Sequence, residues 1–388
     1  MDGLFPRYLV RFDTFRLPHH FADVLVVGTG VAGYRAALAA AHTGARVTLL
    51  SKGDVTDCNT EYAQGGVAAA MSGGSDSPER HAEDTIRVGQ GLCDPAVVRT
   101  VTAAGASAVE ELIALGARFD GHRGDPDLGL EGGHTAPRIL HARGDATGAE
   151  IRDALGRAAD AEALIDVWTD AFLVDLLTDE NGTCRGALVL SRGRLRAVWA
   201  GATILASGGY SQLYRESTNV PGATGDGLAA AWRAGAAVAD LEFVQFHPTT
   251  LYLAGVPRLL LTEAIRGEGA HIVDDHGNRF LLDVLEDAEL APRDQVSRAI
   301  MRHLNRSDVG GVYLDLSHLE PDRISVRFPG VEASCRAHGL DLARDRIQIR
   351  PAAHYTIGGV RADVDGCTTV EGLFAAGEVT STGLHGAN

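Results

Sequence analysis

The strongest pattern of apolar and polar positions lies near the start of the chain. Ala22–Val27 is apolar except at Asp23, which predicts a short, buried parallel strand. The alanine-rich stretch Val31–His42 predicts a helix that Gly44 is placed to end, and Arg46–Leu50 predicts a second strand. The order strand, helix, strand indicates a βαβ unit and therefore a fold of the α/β class.

Beyond this unit the pattern alternates between helical and strand spacing. Apolar positions recur at helical spacing over Ala96–Ala117 and Gly148–Ala161. Strand patterns follow at Val167–Leu177, Gly186–Leu190 and Ala197–Leu205. They predict a smaller antiparallel sheet that leads back into the main sheet.

The middle of the chain has a different texture. From about Leu241 to Tyr355, His, Arg, Asp and Pro are frequent and the parallel-strand pattern disappears, which predicts an inserted domain. Gly372–Glu378 then restores an apolar strand that breaks at a glycine. We therefore expect one large domain that a second domain interrupts.

Composition and charge exclude several classes of protein. The chain has 388 residues, of which 45% are hydrophobic and 22% charged, as in a soluble globular protein with a sizeable core. Its 51 acidic residues against 35 Lys and Arg give a formal net charge of -16, which would repel nucleic acid and anionic membranes. An anionic ligand must therefore be held by local positive groups.

The spacing of the cysteines and the sequence of the N-terminal leader indicate in which cellular compartment the protein is expected. The five cysteines are scattered without CxxC spacing, which indicates reduced thiols rather than a zinc site or a redox pair. The irregular leader, residues 1–20, is interrupted by Arg7, Arg11 and Arg16, so we expect no signal peptide. No stretch is apolar for long enough to predict a membrane span. We expect a cytoplasmic protein without a metal site.

The glycine-rich loop Gly28–Gly33 is the first candidate for chemistry. Its first glycine permits a tight turn, its second lets the backbone approach a pyrophosphate, and its third lets the helix pack on the strand. The second strand ends at Ser51 and Lys52, where many dinucleotide folds have an acidic residue, so these side chains are candidates for the adenosine side. The alternatives are a glycine turn without a ligand and a solvated lysine.

A series of ordered motifs runs from about Phe21 to the last residue: GTGVAG, TEYAQGGVAAA, EGGHTAPRILHA, GDATG, ILASGG, TGDGLAAAWRAGA, LEFVQFHPT, LLTEAIRGEGA, ELAPRD, PAAHYTIGGV, GLFAAGEV and TGLHGAN. With these motifs the chain resembles the L-aspartate oxidases, within the larger family of succinate dehydrogenase and fumarate reductase flavoprotein subunits. The resemblance implies an FAD-binding Rossmann-like domain over residues 21–240 and 356–388, with an inserted α+β capping domain for the substrate over 241–355.

The resemblance also implies what lies beyond the HGAN motif. Family members continue with a substrate-binding arginine, a serine-rich stretch at the flavin and a C-terminal helical domain. This chain ends at Asn388, so we expect the helical domain to be absent from it, and its substrate site and flavin binding to be weakened.

The resemblance implies that FAD is the cofactor. Succinate dehydrogenases bond the flavin to a histidine before AQGG, but this chain has Cys58, Asn59 and Thr60 there, so FAD is expected to be non-covalent. The implied contacts of FAD are Gly28, Thr29, Gly30, Val31, Ala32, Gly33, Lys52, Asn59, Thr60, Glu61, Tyr62, Ala63, Gln64, Gly65, Gly66, Asp226 and Glu378. For Glu378, the alternative is a carboxylate at a helix N-terminus.

The resemblance implies a dicarboxylate site formed by His247, Thr262, Glu263 and His354, with Glu131 facing the substrate's amino group and Arg293 as the acid. An amino dicarboxylate needs cationic or hydrogen-bonding groups for two carboxylates and an acceptor for its ammonium. Simpler interpretations remain open. Each histidine could be structural, Arg293 could form a surface ion pair with Asp294 or Glu289, and Glu263 could pair with Arg266.

The implied reaction is the oxidation of L-aspartate to iminoaspartate by hydride transfer to flavin N5. Dioxygen or fumarate would accept the electrons, and quinolinate synthase would act next in NAD biosynthesis. Two alternatives remain: a fumarate reductase or succinate dehydrogenase flavoprotein subunit, against which Asn59 and Glu131 count, and a non-catalytic flavin-binding fragment.

Overall fold

A computed structural model describes residues 6–71, 76–122, 125–306 and 310–388 of the chain. Residues 1–5 of the expected leader lie outside these ranges. The described residues form nine α-helices: α1 (Val31–His42), α2 (Pro78–Val88), α3 (Pro95–Ala114), α4 (Thr147–Asp160), α5 (Asp226–Arg233), α6 (Glu263–Gly267), α7 (Arg293–Leu304), α8 (Pro321–Arg327) and α9 (Pro329–Ala337). Single turns of 3-10 helix lie at Thr14–Arg16, Ser211–Leu213, Phe280–Asp283, Ala288–Leu290 and Gly377–Val379.

The same residues form short and long β-strands in several sheets. The strands are β1 (His19–Val27), β2 (Val47–Leu50), β3 (Val67–Ala68), β4 (Gly121–His122), β5 (Asp125–Pro126), β6 (Leu128–Gly129), β7 (Ile139–Leu140), β8 (Ile165–Trp168), β9 (Ala171–Thr178), β10 (Cys184–Ser191), β11 (Arg194–Leu205), β12 (Val238–Ala239), β13 (Val244–His247), β14 (His271–Asp274), β15 (Val312–Asp315), β16 (Ile347–Ile349), β17 (Ala352–Thr356), β18 (Gly359–Arg361), β19 (Leu373–Ala375) and β20 (Thr380–Ser381).

The main sheet has seven strands in the order β8-β2-β1-β11-β10-β9, and β19 pairs with the C-terminal part of β11. Strands β8, β2, β1, β11 and β19 are parallel to their neighbours in that group, whereas β10 pairs antiparallel with both β11 and β9. Along one edge of the twelve-residue β11, its first half pairs with β10 and its last three residues with β19, while its other edge pairs with β1 from Ala197 onward. The carboxyl ends of the parallel strands therefore meet at one edge.

Both faces of this sheet are covered. Neighbouring residues of β1 point to opposite faces, as the strand geometry requires. Leu25 belongs to a core on one side that includes α5, and Val26 to a core on the other side that includes α1 and α4. Both side chains are fully buried. This explains why the strand reads as an apolar run rather than as an alternation.

The middle of the chain has a hydrophobic core of its own. Its buried residues run from Leu251 to Ile349, and its three-stranded sheet pairs β14, β15 and β16 antiparallel. This segment is anchored to the first part of the chain at α9, because the carboxylate of Asp145 accepts hydrogen bonds from Gly330 N at 3.0 Å and Val331 N at 2.8 Å. The core agrees with an inserted unit, and its boundaries at 241 and 355 stay a prediction.

Several predicted elements are confirmed. Helix α1 has the predicted bounds, and Gly44 follows it with a φ of +88°. The predicted helices at 96–117 and 148–161 correspond to α3 and α4, and the strand before Gly377 is β19.

Other predictions are wrong in detail. The first strand begins at His19 rather than Ala22, so it includes the end of the leader. The stretch 167–177 is two strands, β8 and β9, because the chain turns at Asp170, whose φ is +50°. The antiparallel strands are not a separate sheet but continue the main one. Helix α2 was not predicted, since its sequence is mostly polar and only Ala82 and Asp84 in it are buried.

All five cysteines are free. Across the described ranges, no group of three or more His, Cys, Asp and Glu side chains could hold a metal ion. No helix in those ranges combines the length and the apolar character needed to cross a bilayer.

Candidate active site

The carboxyl edge of the main sheet brings four distant segments together. Gly28 N donates to Leu50 O at 2.8 Å, Ala206 N to Val27 O at 2.8 Å, and Ala376 N to Leu205 O at 2.9 Å. The turns after β1, β2, β11 and β19 are therefore neighbours. In open α/β sheets this edge is where ligands bind.

The turn after β1 has the geometry of an anion-binding loop. Gly28 has a φ of +116°, and a methyl group on it would lie 2.1 Å from Ala206 O. A methyl on Gly33 would lie 1.8 Å from Gly28 O, so neither position has room for a side chain. Gly30 caps α1 without a side-chain hydrogen bond, and a methyl there would meet only Thr60 Oγ1, at 3.3 Å. The N-terminus of α1 is thus open to a ligand, and its dipole favours an anion.

Lys52 follows β2 and is not a free solvated lysine. Its Nζ atom lies 2.5 Å from Asp226 Oδ2, 2.8 Å from Thr224 Oγ1 and 3.2 Å from Gly222 O. This joins two predicted cofactor residues, Lys52 and Asp226, at the start of α5. The hydroxyl of Ser51 is instead used within its own loop, where it donates to Asp54 O at 2.9 Å.

Asn59 and Glu378 meet from opposite ends of the chain. Asn59 Nδ2 lies 2.7 Å from Asn219 Oδ1 and 3.4 Å from Glu378 Oε2. Glu378 Oε1 accepts from Thr356 N at 2.9 Å. Burial raises the pKa of Glu378, and the hydrogen bonds from Thr356 and Asn59 oppose that rise. Glu378 lies in a single turn of 3-10 helix. This position is compatible both with a contact to FAD and with a carboxylate at a helix N-terminus.

The remaining predicted cofactor residues lie along the loop after β2, and they differ in what they can offer a ligand. Gln64 Oε1 is buried without a protein partner among the described residues, and Gly65 faces open space. Glu61 is bonded to Arg152 at 2.7 Å, and Gly66 packs against Leu140 O. The others are placed as follows: Thr29 is buried and bonded to Ser51, Val31 N is bonded to Thr60 Oγ1, Tyr62 is exposed, and Ala32 and Ala63 pack near Gly377 and Gly148.

The predicted substrate residues converge on a buried ion cluster. Glu263, at the start of α6, accepts from Arg266 Nη2 at 2.7 Å through Oε1 and contacts Arg293 Nε through Oε2. Arg293 also donates to Gln245 Oε1 at 2.8 Å. Burial raises the pKa of Glu263, but the two guanidinium groups outweigh it and hold the pKa below its usual value. The carboxylate is therefore ionised between two cations.

Two histidines and a threonine line the same region. Strands β13 and β17 pair antiparallel, which brings the rings of His247 and His354 to 5.1 Å between centroids. Burial and the charge of Arg293 lower the pKa of His354 to about 3 and that of His247 well below its usual value. Both rings are thus neutral and offer hydrogen bonds rather than charge. Thr262, buried as the N-cap of α6, completes the set.

Glu131 approaches this cluster from the first part of the chain. A methyl group on its neighbour Gly132 would lie 2.6 Å from Glu263 Oε1. Burial raises the pKa of Glu131 to about 7, and the negative charge of Glu263 adds to the rise. Its Oε1 atom is buried and has no hydrogen-bond partner among the described residues. An unpaired buried acceptor of this kind is costly unless a ligand satisfies it.

The simpler interpretation of Arg293 is wrong. Asp294 pairs with Arg298 and Glu289 with Arg279, so neither pairs with Arg293. The predicted pair of Glu263 with Arg266 does form, but as part of the larger cluster. Sequence analysis did not single out Arg138, which is fully buried and contacts His134 in the turn that carries Glu131. Its only sequence signal is its place within the EGGHTAPR stretch.

Comparison with known proteins agrees with this geometry. A family model described as FAD binding domain matches residues 23–388. L-aspartate oxidase of Mycobacterium leprae is 48% identical over 376 residues, covering 95% of this chain and 70% of the relative. The chain belongs to the L-aspartate oxidase family. L-aspartate oxidase of Streptomyces coelicolor is 49% identical over 376 residues and 95% of this chain.

Solved structures place the family fold in a wider group. A mutant of E. coli quinol fumarate reductase matches with a TM-score of 0.89 at 34% identity. The match covers 96% of this chain and 67% of the reductase chain. The open conformation of a flavocytochrome c3 fumarate reductase matches with a TM-score of 0.74 at 28% identity. The match covers 96% of this chain and 75% of that reductase chain. The α/β class and the FAD-binding fold are therefore confirmed. The chain spans 64% of the S. coelicolor relative, or about two thirds of it.

FAD is the cofactor of this L-aspartate oxidase family domain, and the residues present fit it. The open N-terminus of α1 suits a diphosphate, and the buried oxygens of Gln64, Ser207 and Ser211 have no protein partner among the described residues. These atoms lie on the loop after β2 and on the turn after β11, along the carboxyl edge of the sheet. A polar ligand along that edge would satisfy them.

Proposed function

We propose that the enzyme to which this chain belongs oxidises L-aspartate to iminoaspartate with FAD. The observation that carries the proposal is the buried, unpaired Oε1 atom of Glu131 beside the cluster of Glu263 and Arg293. A carboxylate at that position would form an ion pair with an ammonium group of the substrate. A succinate dianion offers no such group.

The charges of the cluster favour an amino dicarboxylate. Arg266, Arg293 and ionised Glu263 together leave one net positive charge in a buried site. Aspartate carries one net negative charge, its ammonium included, and this charge balances the cluster when Glu131 is neutral. Succinate has two negative charges and would leave the buried site uncompensated, at a cost of several kcal/mol per ion.

Orientation follows from groups on both sides of the substrate. The neutral rings of His247 and His354 and the hydroxyl of Thr262 would donate to carboxylate oxygens, while Arg293 would hold the same substrate by charge. When bound, the flavin accepts the hydride that leaves the substrate's α carbon. The amino group must lose a proton for its lone pair to form the C=N bond, and we propose Glu131 as the acceptor.

Arg293 has a second role when fumarate is the electron acceptor. Fumarate then takes a hydride at one carbon and needs a proton at the other, and we propose Arg293 as its donor. The guanidinium cannot stay deprotonated, because its pKa lies far above neutrality. We propose that Glu263, which contacts Arg293 Nε, relays a proton from solvent back to the guanidine.

The finer parts of the proposal concern the surroundings of the reaction. We propose dioxygen or fumarate as the acceptor, the segment 241–355 as a cap that excludes water, and the cytoplasm as the location. Iminoaspartate would pass to quinolinate synthase in NAD biosynthesis. The name of the family's relatives supports the substrate, and their fumarate reductase neighbours support the acceptor.

Anaerobic bleaching of the flavin tests the proposal. The FAD-loaded protein is mixed with aspartate or with succinate, and the flavin absorbance is followed. We expect aspartate to bleach it and succinate to leave it unchanged. Bleaching by succinate alone would favour the second candidate, a fumarate reductase or succinate dehydrogenase subunit, which the TM-score of 0.89 to fumarate reductase supports. No bleaching by either would leave a flavin-binding fragment.

A further inference from the structure

Helix α2 holds the turn that carries Glu131 through hydrogen bonds. His134 N donates to Glu131 O at 3.2 Å, which closes the turn, and Gly133 within it has a φ of +85°. Arg87 of α2 donates from Nη2 to Gly133 O at 2.8 Å. The turn is therefore tied to a helix that contributes nothing directly to the substrate cluster.

Arg138 is the centre of this attachment. It is 0% exposed, and its Nε and Nη2 atoms form a fork to the two oxygens of Asp76 at 2.7 and 2.8 Å. Its Nη1 atom lies 2.7 Å from Asp84 Oδ2 and 2.9 Å from His134 Nδ1. A guanidinium only donates, so Nδ1 of His134 accepts and the ring carries its hydrogen on Nε2. Arg138 thus fixes both the place and the tautomer of His134.

Asp84 fixes the other side of His134. Its Oδ2 atom accepts from Thr135 N at 2.8 Å and from Thr135 Oγ1 at 2.9 Å, and its Oδ1 atom accepts from Arg87 at 2.8 Å. The backbone on both sides of the histidine is therefore held by charge-assisted hydrogen bonds. These bonds are roughly twice as strong as neutral ones.

On the side that faces Glu263, the turn has no free space into which it could shift. Gly132 packs so closely on Glu263 Oε1 that a methyl group would lie 2.6 Å from it. A displacement of the turn therefore moves Glu131 relative to the ion cluster. Misplacement by about 1 Å can cost an enzyme a hundredfold in rate.

We propose that Arg138, acting through Asp84 and His134, is the positioning residue that sets Glu131 for the ammonium group of the substrate. The role of Glu131 in this inference rests on the proposed function. Arg138 then governs the preference for an amino dicarboxylate over a plain dicarboxylate. It does so without touching either ligand.

The test is the ratio of two affinities in Arg138→Met. The full chain is loaded with FAD and mixed rapidly with aspartate or succinate without oxygen, and the dissociation constants are taken from the change in flavin absorbance that precedes any reduction of the flavin. We expect aspartate to bind roughly tenfold or more weakly, and succinate to change by less than about threefold, because only aspartate uses Glu131. Arg138→Lys should restore part of the ratio, since it keeps the charge but not the fork.

A matched control separates positioning from general loss of packing. Arg233 pairs with fully buried Asp175 at 2.6 Å and donates to Val174 O, away from the ion cluster. Arg233→Met should lower stability without changing the ratio. If Arg138→Met does not fold, Arg87→Met removes only the bonds to Gly133 and Asp84, and it should move the ratio in the same direction by a smaller factor.

The outcomes distinguish the inference from the function on which it rests. An unchanged ratio in both the Arg138 and Arg87 variants, or equal weakening of the two ligands, overturns the inference alone. Failure of the wild-type protein to bind aspartate overturns the inference and the proposed function together. Aspartate binding without flavin bleaching overturns the function, while the ratio still decides the positioning.

Discussion

Glu263 and Arg293 are in direct contact although 30 positions separate them in the chain. Glu263 begins α6 and Arg293 begins α7, so the contact joins the starts of two helices. Glu263 is buried and Arg293 is partly buried, and Arg266 pairs with the other oxygen of the carboxylate. This pair decides the electrostatics of the candidate site.

Glu263→Gln should abolish most of the activity. The change leaves two buried guanidinium groups facing each other, and removing one partner of a buried ion pair typically costs about 3–5 kcal/mol. We expect a lower melting temperature and a fall in kcat of about a hundredfold or more for aspartate oxidation. Glu332→Gln is the matched control, because Glu332 is also buried but pairs with exposed Arg336. Equal losses of kcat in the two variants would contradict the role of Glu263.

The pH dependence should report Glu131. Its pKa is raised to about 7, so the carboxyl is neutral below that pH and charged above it. Glu131 must be charged to take a proton from the ammonium group, so kcat/KM for aspartate should rise as pH increases up to about 7 and then level off. Succinate binding should show the opposite trend, since ionised Glu131 repels a dianion.

Glu131→Gln provides the comparison for that profile. The amide cannot ionise, so the rise near neutral pH should disappear for aspartate and the affinity for succinate should lose its pH dependence. Both are measured by kcat/KM and by flavin difference spectra between pH 5.5 and 8.5. A profile that keeps its midpoint in the variant would assign the titration to another group.

Gly30→Ala should weaken FAD binding while leaving the fold intact. Gly30 has a φ of -71°, which alanine adopts without strain, and a methyl there would meet only Thr60 within the protein. The methyl would instead occupy the path of the diphosphate. We expect the dissociation constant of FAD to rise roughly tenfold or more. It is measured by titration of the FAD-free protein.

Gly44→Ala is the control at the other end of the same helix. Gly44 has a φ of +88° and open space around it, so alanine there should cost about 1 kcal/mol of stability. FAD affinity should not change. A similar loss of FAD affinity in both variants would show that general destabilisation, not the diphosphate, explains the effect of Gly30→Ala.

Acid precipitation should release the flavin. Asn59 is committed to Asn219 and to Val220 N, at 2.7 and 3.1 Å, and an amide is not a nucleophile. Burial raises the pKa of the neighbouring Cys58 thiol, which keeps it protonated and unreactive. We expect the precipitate to be colourless and the supernatant to contain all the FAD. Yellow colour retained in the washed precipitate would indicate a covalent bond.

Local sequence patterns predicted the elements whose form depends on neighbours in the chain. Helix α1 and its terminating Gly44 follow from composition and from glycine's tolerance of positive φ. The glycine loop follows from the steric demands of a strand that turns into a helix. Helix α2 escaped prediction because its sequence is mostly polar, and one of its two buried residues is the charged Asp84.

The sequence predicted which residues form the candidate site but not which of them contact one another. The motifs indicated the residue types for a dicarboxylate, but they left Arg293 with the wrong possible partners. The folded chain brings the start of α6 to the start of α7, so Arg293 pairs with Glu263, while Glu289 and Asp294 pair with other arginines. Long-range pairing of this kind has no periodic signal in the sequence.

The sequence by itself determined the βαβ unit, the glycine loop that opens α1 and the family to which the chain belongs, because each depends on residues close together or on an ordered set of motifs. Only the tertiary structure decided which charges face one another. It aligned β13 with β17 to bring two histidines together, and it placed the turn of Glu131 against Glu263 with Arg138 behind it. The physical reason is that burial strengthens electrostatic interactions, and burial is a property of the folded chain.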